Sequence, residues 1–190
     1  AEAGLPDGVI NFITGPGGTA GDELVVNPRI RAISFTGSTP VGMGIHQKAA
    51  ATLARTQLEM GGKNPAVVLA DADLEAAADA VVLAAYACAG QWCTSTSRVI
   101  VEAAAFERFQ QEVLKRVGHI KVGKGLDPAS TMGPVCGEKQ AQDILGYIEI
   151  GIREGATLAA GGHRIGDRGC FIEPTVFTGV TPDMAIAREE

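Results

Sequence analysis

Cys93 stands where a small, apolar segment, Ala84-Ala85-Tyr86-Ala87-Cys88-Ala89, gives way through Gly90-Gln91-Trp92 to four hydroxyl residues, Thr94-Ser95-Thr96-Ser97. Serine and threonine side chains compete for backbone hydrogen bonds, so a helix does not readily continue through such a run. Cys93 is therefore read as a boundary residue, held on one side and open to a ligand on the other. Nucleophilic catalysis asks for that placement, with the thiolate accessible and near positive charge or aligned amides. Arg98 is a candidate source of charge. The competing reading is that of most free cysteines, a small buried hydrophobe, and spacing alone leaves both open.

Two further stretches carry chemistry. In Leu58-Glu59-Met60-Gly61-Gly62 the carboxylate stands between an apolar residue and two glycines, where the backbone can turn and a ligand can come close. Glu59 is either a desolvated general base with a raised pKa or a solvated loop acid. In Phe35-Thr36-Gly37-Ser38-Thr39-Pro40 an apolar run ends in a glycine turn, and the proline just after Ser and Thr marks a helix start. Amides and the positive end of the helix dipole then face whatever lies beyond the strand, as in a phosphate cradle. The spacing is neither GxGxxG nor a Walker A, and an ordinary turn between strand and helix reads equally well.

The elements that must position these residues alternate. Apolar runs predict strands at 9–13, 30–35, 66–70, 99–101, 157–159 and 174–177; helical rhythm marks 21–26, 45–53, 74–89, 106–117 and 138–153. The alanine-rich helix at 74–89 reads as buried nearly all round. Strands alternating with helices predict an α/β fold, a mainly parallel sheet flanked by helices.

Composition narrows the function classes. The net charge of -6 argues against a nucleic-acid partner, which asks for a basic patch. Cys88, Cys93, Cys136 and Cys170 form no CxxC pair, so neither zinc nor a disulfide framework is indicated, and a reduced cytoplasmic setting is the simpler home. The uncharged run from Ala80 to Ser97 is too polar in its second half for a membrane span. His46, His119 and His163 are too dispersed to mark a site. The start lacks an initiator methionine and a signal pattern, and the end is abrupt, so a segment of a longer chain is expected.

Together the stretches Phe35-Thr36-Gly37-Ser38-Thr39, Leu58-Glu59-Met60-Gly61-Gly62-Lys63-Asn64-Pro65 and Gly90-Gln91-Trp92-Cys93-Thr94 resemble the aldehyde dehydrogenase superfamily, in its order and at its spacing. The similarity extends to Asp71-Ala72-Asp73-Leu74, to Pro174-Thr175-Val176 and to the terminal Arg188-Glu189-Glu190, so that it covers essentially the whole chain. It implies a catalytic domain of that family with part of a Rossmann-like cofactor domain, divided as 1–58 and 59–190.

The resemblance also implies roles. Cys93 is the nucleophile that attacks an aldehyde, and its backbone amide shares in holding the oxyanion. Glu59 activates the water that hydrolyses the resulting thioester. NAD or NADP is the cofactor: Gly37 and Ser38 lie against its pyrophosphate, Thr36 near the nicotinamide, and Glu190 on the nicotinamide ribose. Gly61 allows close approach, and the Met60 carbonyl meets the carboxamide. Lys63 is structural, and Cys88, Cys136 and Cys170 are inert core or surface thiols. The family's oxyanion asparagine and its adenosine-ribose lysine fall upstream of this sequence, and a nicotinamide-side aromatic residue and an oligomerisation strand fall downstream. Trp92 departs from the smaller residue usual at its position and either shapes the aldehyde pocket or packs outward. The branch acting on semialdehydes such as 2-oxoglutarate semialdehyde is the nearest, and a homo-oligomer without membrane or nucleic-acid partners is expected. A CoA-acylating member and a non-catalytic truncated module are the alternatives.

Overall fold

The computed structural model describes residues 3–190. Ala1 and Glu2, at the head of the stretch read for a leader, lie outside the described residues. The chain divides into two compact units, Ala1–Met60 and Gly61–Glu190.

In the first unit, α1 (Asp22–Val26) precedes β1 (Ala32–Gly37), α2 (Thr39–Ala49) and β2 (Arg55–Met60). The strands pair in parallel, with Thr36 beside Glu59 and Gly37 beside Met60. A parallel pair needs a crossover, and α2 supplies it. Helix α2 begins at Ser38 with Pro40 in its first turn, as the sequence predicts, and the chain leaves the short turn after it through Leu53 at φ 55°. Alternation sets the two faces: Ile33, Phe35, Thr56, Leu58 and Met60 are half-buried, whereas Ser34, Thr36, Gln57 and Glu59 are exposed. The helix can close on the half-buried face because position 42 is glycine. A Cβ there would meet Met60 Sδ at 2.6 Å.

The strand expected at 9–13 does not form. Phe12 is 89% exposed, and Val9, Ile10 and Ile13 are exposed with it. Apolar and β-branched residues make a strand only where a neighbour completes the ladder, and among the described residues β1 pairs only with β2.

The second unit runs β3 (Asn64–Val68), α3 (Leu74–Tyr86), β4 (Thr96–Val101), α4 (Phe106–Val117), α5 (Glu138–Arg153), β5 (Thr157–Ala160), β6 (Val176–Thr178) and α6 (Ala185–Arg188). Strands β3 and β4 pair in parallel across α3, with a register shift between Asn64 and Pro65. Asp73 caps α3 by accepting from the Glu75 and Ala76 amides at 3.1 Å each, which satisfies two of the donors a helix start leaves open. Val68, Leu74, Ala78, Val81, Ala105 and Phe109 form the core between these strands and helices. Only one face of α3 is covered: Leu83 is 71% exposed, so the helix is not buried nearly all round as its alanine content predicts. Alanine is a strong helix former whichever way it faces, so its abundance says little about burial.

A second cluster, Val135, Ala141, Ile148 and Ile172, gathers the apolar side of α5 with Phe177 of β6. Strands β5 and β6 are antiparallel, so two of the three strand pairs among the described residues are parallel. The α/β class with helices flanking mainly parallel strands stands.

Two glycines of α2 make a test. An added methyl at Gly42 runs into Met60 Sδ, whereas at Gly44 it meets nothing within 4 Å. Gly42→Ala is expected to destabilise by about 1–3 kcal/mol through overpacking. Gly44→Ala is expected to stabilise by up to about 1 kcal/mol through helix propensity. Urea denaturation of the two variants checks this, and equal effects would contradict the packing of α2 on the strands.

Candidate active site

Helix α3 stops at Tyr86, whose hydroxyl donates to the Thr175 carbonyl at 2.8 Å. Burial pushes that hydroxyl above the usual phenol range. Beyond it the backbone enters the left-handed region at three successive residues: Cys88 at φ 51°, Ala89 at φ 58° and Gly90 at φ 74°. Glycine takes this conformation freely; Cys88 and Ala89 together store on the order of 2–4 kcal/mol.

Hydrogen bonds hold the chain there. The Gln91 carboxamide donates to the Cys88 carbonyl at 3.0 Å and accepts from the Cys136 amide at 2.7 Å. Ser95, the buried member of the hydroxyl run, ties Trp92 at both ends. Its amide donates to the Trp92 carbonyl at 3.0 Å, and its Oγ accepts from the Trp92 amide at 3.3 Å. Asn64, at the start of β3, donates through Nδ2 to the carbonyls of Cys93 at 2.7 Å and Ser95 at 3.1 Å. At about 1 kcal/mol net each, these six bonds are enough to offset the strain.

The clamp has a directional result. In a trans peptide the C=O and the N–H point opposite ways, and no peptide here is cis. With the Trp92 carbonyl turned to Ser95, the Cys93 N–H points to the other side, and among the described residues it meets no acceptor. Cys93 is exposed. The loop thus presents a thiol and an unpaired amide on a backbone fixed at both neighbouring peptides. Exposure alone does not single Cys93 out, because Cys88 and Cys136 are exposed too, with Cys170 half-buried. Arg98 is spent elsewhere: its Nη2 donates to the Lys63 carbonyl at 2.7 Å. Trp92 is 53% exposed beside the thiol.

In the same unit, Gly61 and Glu190 are brought together. A Cβ on Gly61 would collide with the Glu190 carboxylate, so only glycine admits the acid there. Lys63 lines the adjoining groove with Arg98, Tyr147 and Glu190. Burial lowers its pKa and the Arg98 charge adds to this, while Glu190 and Glu189 oppose it.

In the first unit, Thr36 and Glu59 are neighbours across the β1–β2 ladder, with both side chains on the exposed face, and Gly37 lies beside Met60. Gly37 has no room for a side chain, because the Phe35 ring occupies that space. Ser38 makes no side-chain cap to α2, so the first-turn amides are left for another acceptor. A glycine that brings backbone close, followed by uncapped helical amides, fits a phosphate-bearing group.

Sequence reasoning missed three contributors: Asn64, Gln91 and Ser95. Each lies inside a stretch that it singled out. The partners of Asn64, and the Cys136 amide from which Gln91 accepts, are 29 to 45 positions away, beyond the reach of local pattern. The signal that was present is chemical: amide side chains and one serine beside a candidate nucleophile are groups that hold backbone.

Known proteins resemble the chain over its whole length. The profile described as "Aldehyde dehydrogenase family" matches residues 1–190. The chain is 47% identical over its whole length to the alpha-ketoglutaric semialdehyde dehydrogenase of Bacillus subtilis (strain 168), covering 40% of that protein. Among solved structures it superposes on an NAD-dependent aldehyde dehydrogenase from Sinorhizobium meliloti with a TM-score of 0.97 at 44% identity, covering 100% of this chain and 38% of that one. A betaine aldehyde dehydrogenase from Staphylococcus aureus in complex with NAD+ gives a TM-score of 0.95 at 39% identity, again with 100% and 38% coverage. The chain therefore spans about two-fifths of the length of these relatives.

Thiol mapping checks the loop. On brief exposure to iodoacetamide, the exposed Cys88, Cys93 and Cys136 should alkylate, with the half-buried Cys170 slower by about fivefold or more. Labelling of Cys170 ahead of Cys93 would contradict the placement of the loop.

Proposed function

Because the chain belongs to the aldehyde dehydrogenase family, we propose that it carries the nucleophile and the general base of an NAD(P)-dependent oxidation of a small aldehyde to its carboxylic acid. The observation that carries this reading is the clamped loop, in which an exposed thiol shares its residue with an amide that meets no acceptor among the described residues.

The Cys93 thiolate attacks the aldehyde carbon. A C–S bond forms, and the carbonyl electron pair moves to oxygen, where the Cys93 N–H donates to it. As the C=O reforms, the carbon loses its hydrogen as hydride, leaving a thioester on Cys93. Bound NAD(P) supplies the acceptor for that hydride. Glu59 then takes a proton from water, the hydroxide adds to the thioester carbonyl, and the C–S bond breaks to return the thiolate. Under this reading Gly37 and Ser38 would hold the pyrophosphate, Thr36 would lie by the nicotinamide, the Met60 carbonyl would take the carboxamide, Gly61 would leave room, and Glu190 would hold the ribose.

The division proposed remains a cofactor-binding part at 1–58 and a catalytic part at 59–190, which begins with Glu59 itself, two residues before the boundary between the compact units at Met60 and Gly61. The substrate proposed is 2-oxoglutarate semialdehyde, supported by the 47% identity to the Bacillus subtilis enzyme named for it. The whole enzyme is proposed to be a cytoplasmic homo-oligomer. No helix among the described residues is long and apolar enough to cross a membrane.

Stopped-flow absorbance of the reduced cofactor tests the division of roles in the full-length enzyme. Cys93→Ser should abolish the burst. Glu59→Gln should keep the burst while steady turnover falls by about 10²-fold or more. A Glu59→Gln enzyme without a burst would show that the acid acts before the thioester, contrary to the proposal.

A further inference from the structure

Asn64 belongs to neither the nucleophile, the base nor the cofactor residues proposed above, yet among the described residues it makes the one side-chain hydrogen bond to the backbone of the proposed nucleophile. Its carboxamide reaches across from the start of β3 to the carbonyls of Cys93 and Ser95, at 2.7 and 3.1 Å. We propose that Asn64 is the positioning residue of Cys93: it fixes the peptide after the thiol directly, through the Cys93 carbonyl, and the peptide before it through Ser95, whose amide holds the Trp92 carbonyl, and so aims the Cys93 N–H at the oxyanion. The proposal rests on reading Cys93 as the nucleophile.

The chemistry asks for this residue type. Two carbonyls facing one side chain need two N–H donors and no lone pair, which a primary carboxamide supplies on a single planar nitrogen. Aspartate has the same shape but offers only acceptors, and serine offers one donor. The backbone is built to present the group. Pro65 biases residue 64 toward extended geometry, the β3–β4 register shifts between Asn64 and Pro65, and Ser97 Oγ donates to the Asn64 carbonyl at 3.4 Å. Ser95 passes the constraint on, since the residue whose carbonyl Asn64 holds also ties Trp92 at both its amide and its carbonyl. One carboxamide therefore governs the peptides before and after the thiol. Released, those peptides rotate, and the Cys93 amide no longer waits where negative charge develops; such donors act through being fixed in advance.

A residue that merely held the loop together would, when lost, change the reach of the thiol to any reagent. A positioning residue changes its reaction with an aldehyde and leaves simple alkylation alone, because iodoacetamide displacement forms no oxyanion. The full-length enzyme with Asn64→Asp or Asn64→Ser separates the two. In Asn64→Asp the burst of reduced cofactor is expected to slow by about tenfold to a hundredfold with the aldehyde KM nearly unchanged; Asn64→Ser, with one donor left, should fall between it and the parent. The alkylation rate of Cys93 relative to Cys88 in the same molecules should stay within about threefold of the parent.

A burst within about threefold of the parent in folded Asn64→Asp, or in folded Asn64→Ser where the aspartate variant does not fold, overturns the proposal. So does a parallel fall of burst and alkylation, and so does failure of both variants to fold, since either makes the residue structural. Cys93→Ser in the parent background is read separately: a surviving burst there sinks the nucleophile assignment itself, whatever Asn64 does.

Discussion

Two hydrogen bonds from one side chain reconcile the opposed demands on the loop at Cys93. A nucleophile, the role proposed for Cys93, must be reachable, which puts it on a loop, and it must be fixed, which loops generally are not. The Asn64 carboxamide meets both demands by borrowing the rigidity of β3, where parallel pairing with β4 and packing of Val68 against Phe109 and Ala78 anchor the strand. The left-handed run from Cys88 to Gly90 leans on a second carboxamide, that of Gln91, which donates to the Cys88 carbonyl and accepts from the Cys136 amide; Cys88 and Ala89 would leave that conformation if the loop were free. Glycine is required at the third for a second reason: a Cβ on Gly90 would come within 3.0 Å of the Ala85 carbonyl.

The segment from Gly61 to Asn64 joins this clamp to the charged groove beside it. Over four residues it passes from the glycine that admits the Glu190 carboxylate, through the half-buried Lys63 whose carbonyl takes Arg98, to the asparagine that holds the cysteine loop. Burial and the neighbouring Arg98 charge lower the Lys63 pKa, and the Glu190 and Glu189 carboxylates oppose them only in part. A chain that spaced these residues differently would lose either the acid's seat or the loop's anchor. In the first unit, period-two alternation does comparable work. It turns Thr36 and Glu59 to one face and leaves Phe35 and Met60 to pack under Gly42 on the other.

What could be read from the sequence was what local chemistry decides. Helix α5 runs from Glu138 to Arg153 as expected, because glycine precedes it and Ile144, Leu145, Ile148 and Ile152 recur at helical spacing. Pro40 marks the start of α2 through its fixed backbone angle, and Asp73 the start of α3 through its cap, because both act over two or three residues. What could not be read depends on partners far away. The apolar stretch at 9–13 has the composition of a strand and no ladder beside it among the described residues. The left-handed turn at Cys88 and Ala89 occurs in residue types that disfavour it, and only tertiary hydrogen bonds keep it. The candidate site divides the same way. Cys93 and Glu59 stand out by type and neighbours, whereas Asn64 looked like an ordinary residue before a proline until the fold showed which carbonyls it meets.

The central claim is that the carbon skeleton of the aldehyde passes through a covalent bond to the sulfur of residue 93. Rapid acid quench of full-length Glu59→Gln enzyme turning over aldehyde with NAD(P), followed by chymotryptic peptide mass mapping, which cuts after Trp92 and so separates Cys88 from Cys93, reads that bond directly. The account predicts the acyl mass on the peptide holding Cys93 and on no other, at close to one per active site. The same mass on the peptides of Cys88, Cys136 or Cys170, or no acyl mass during turnover, would contradict it.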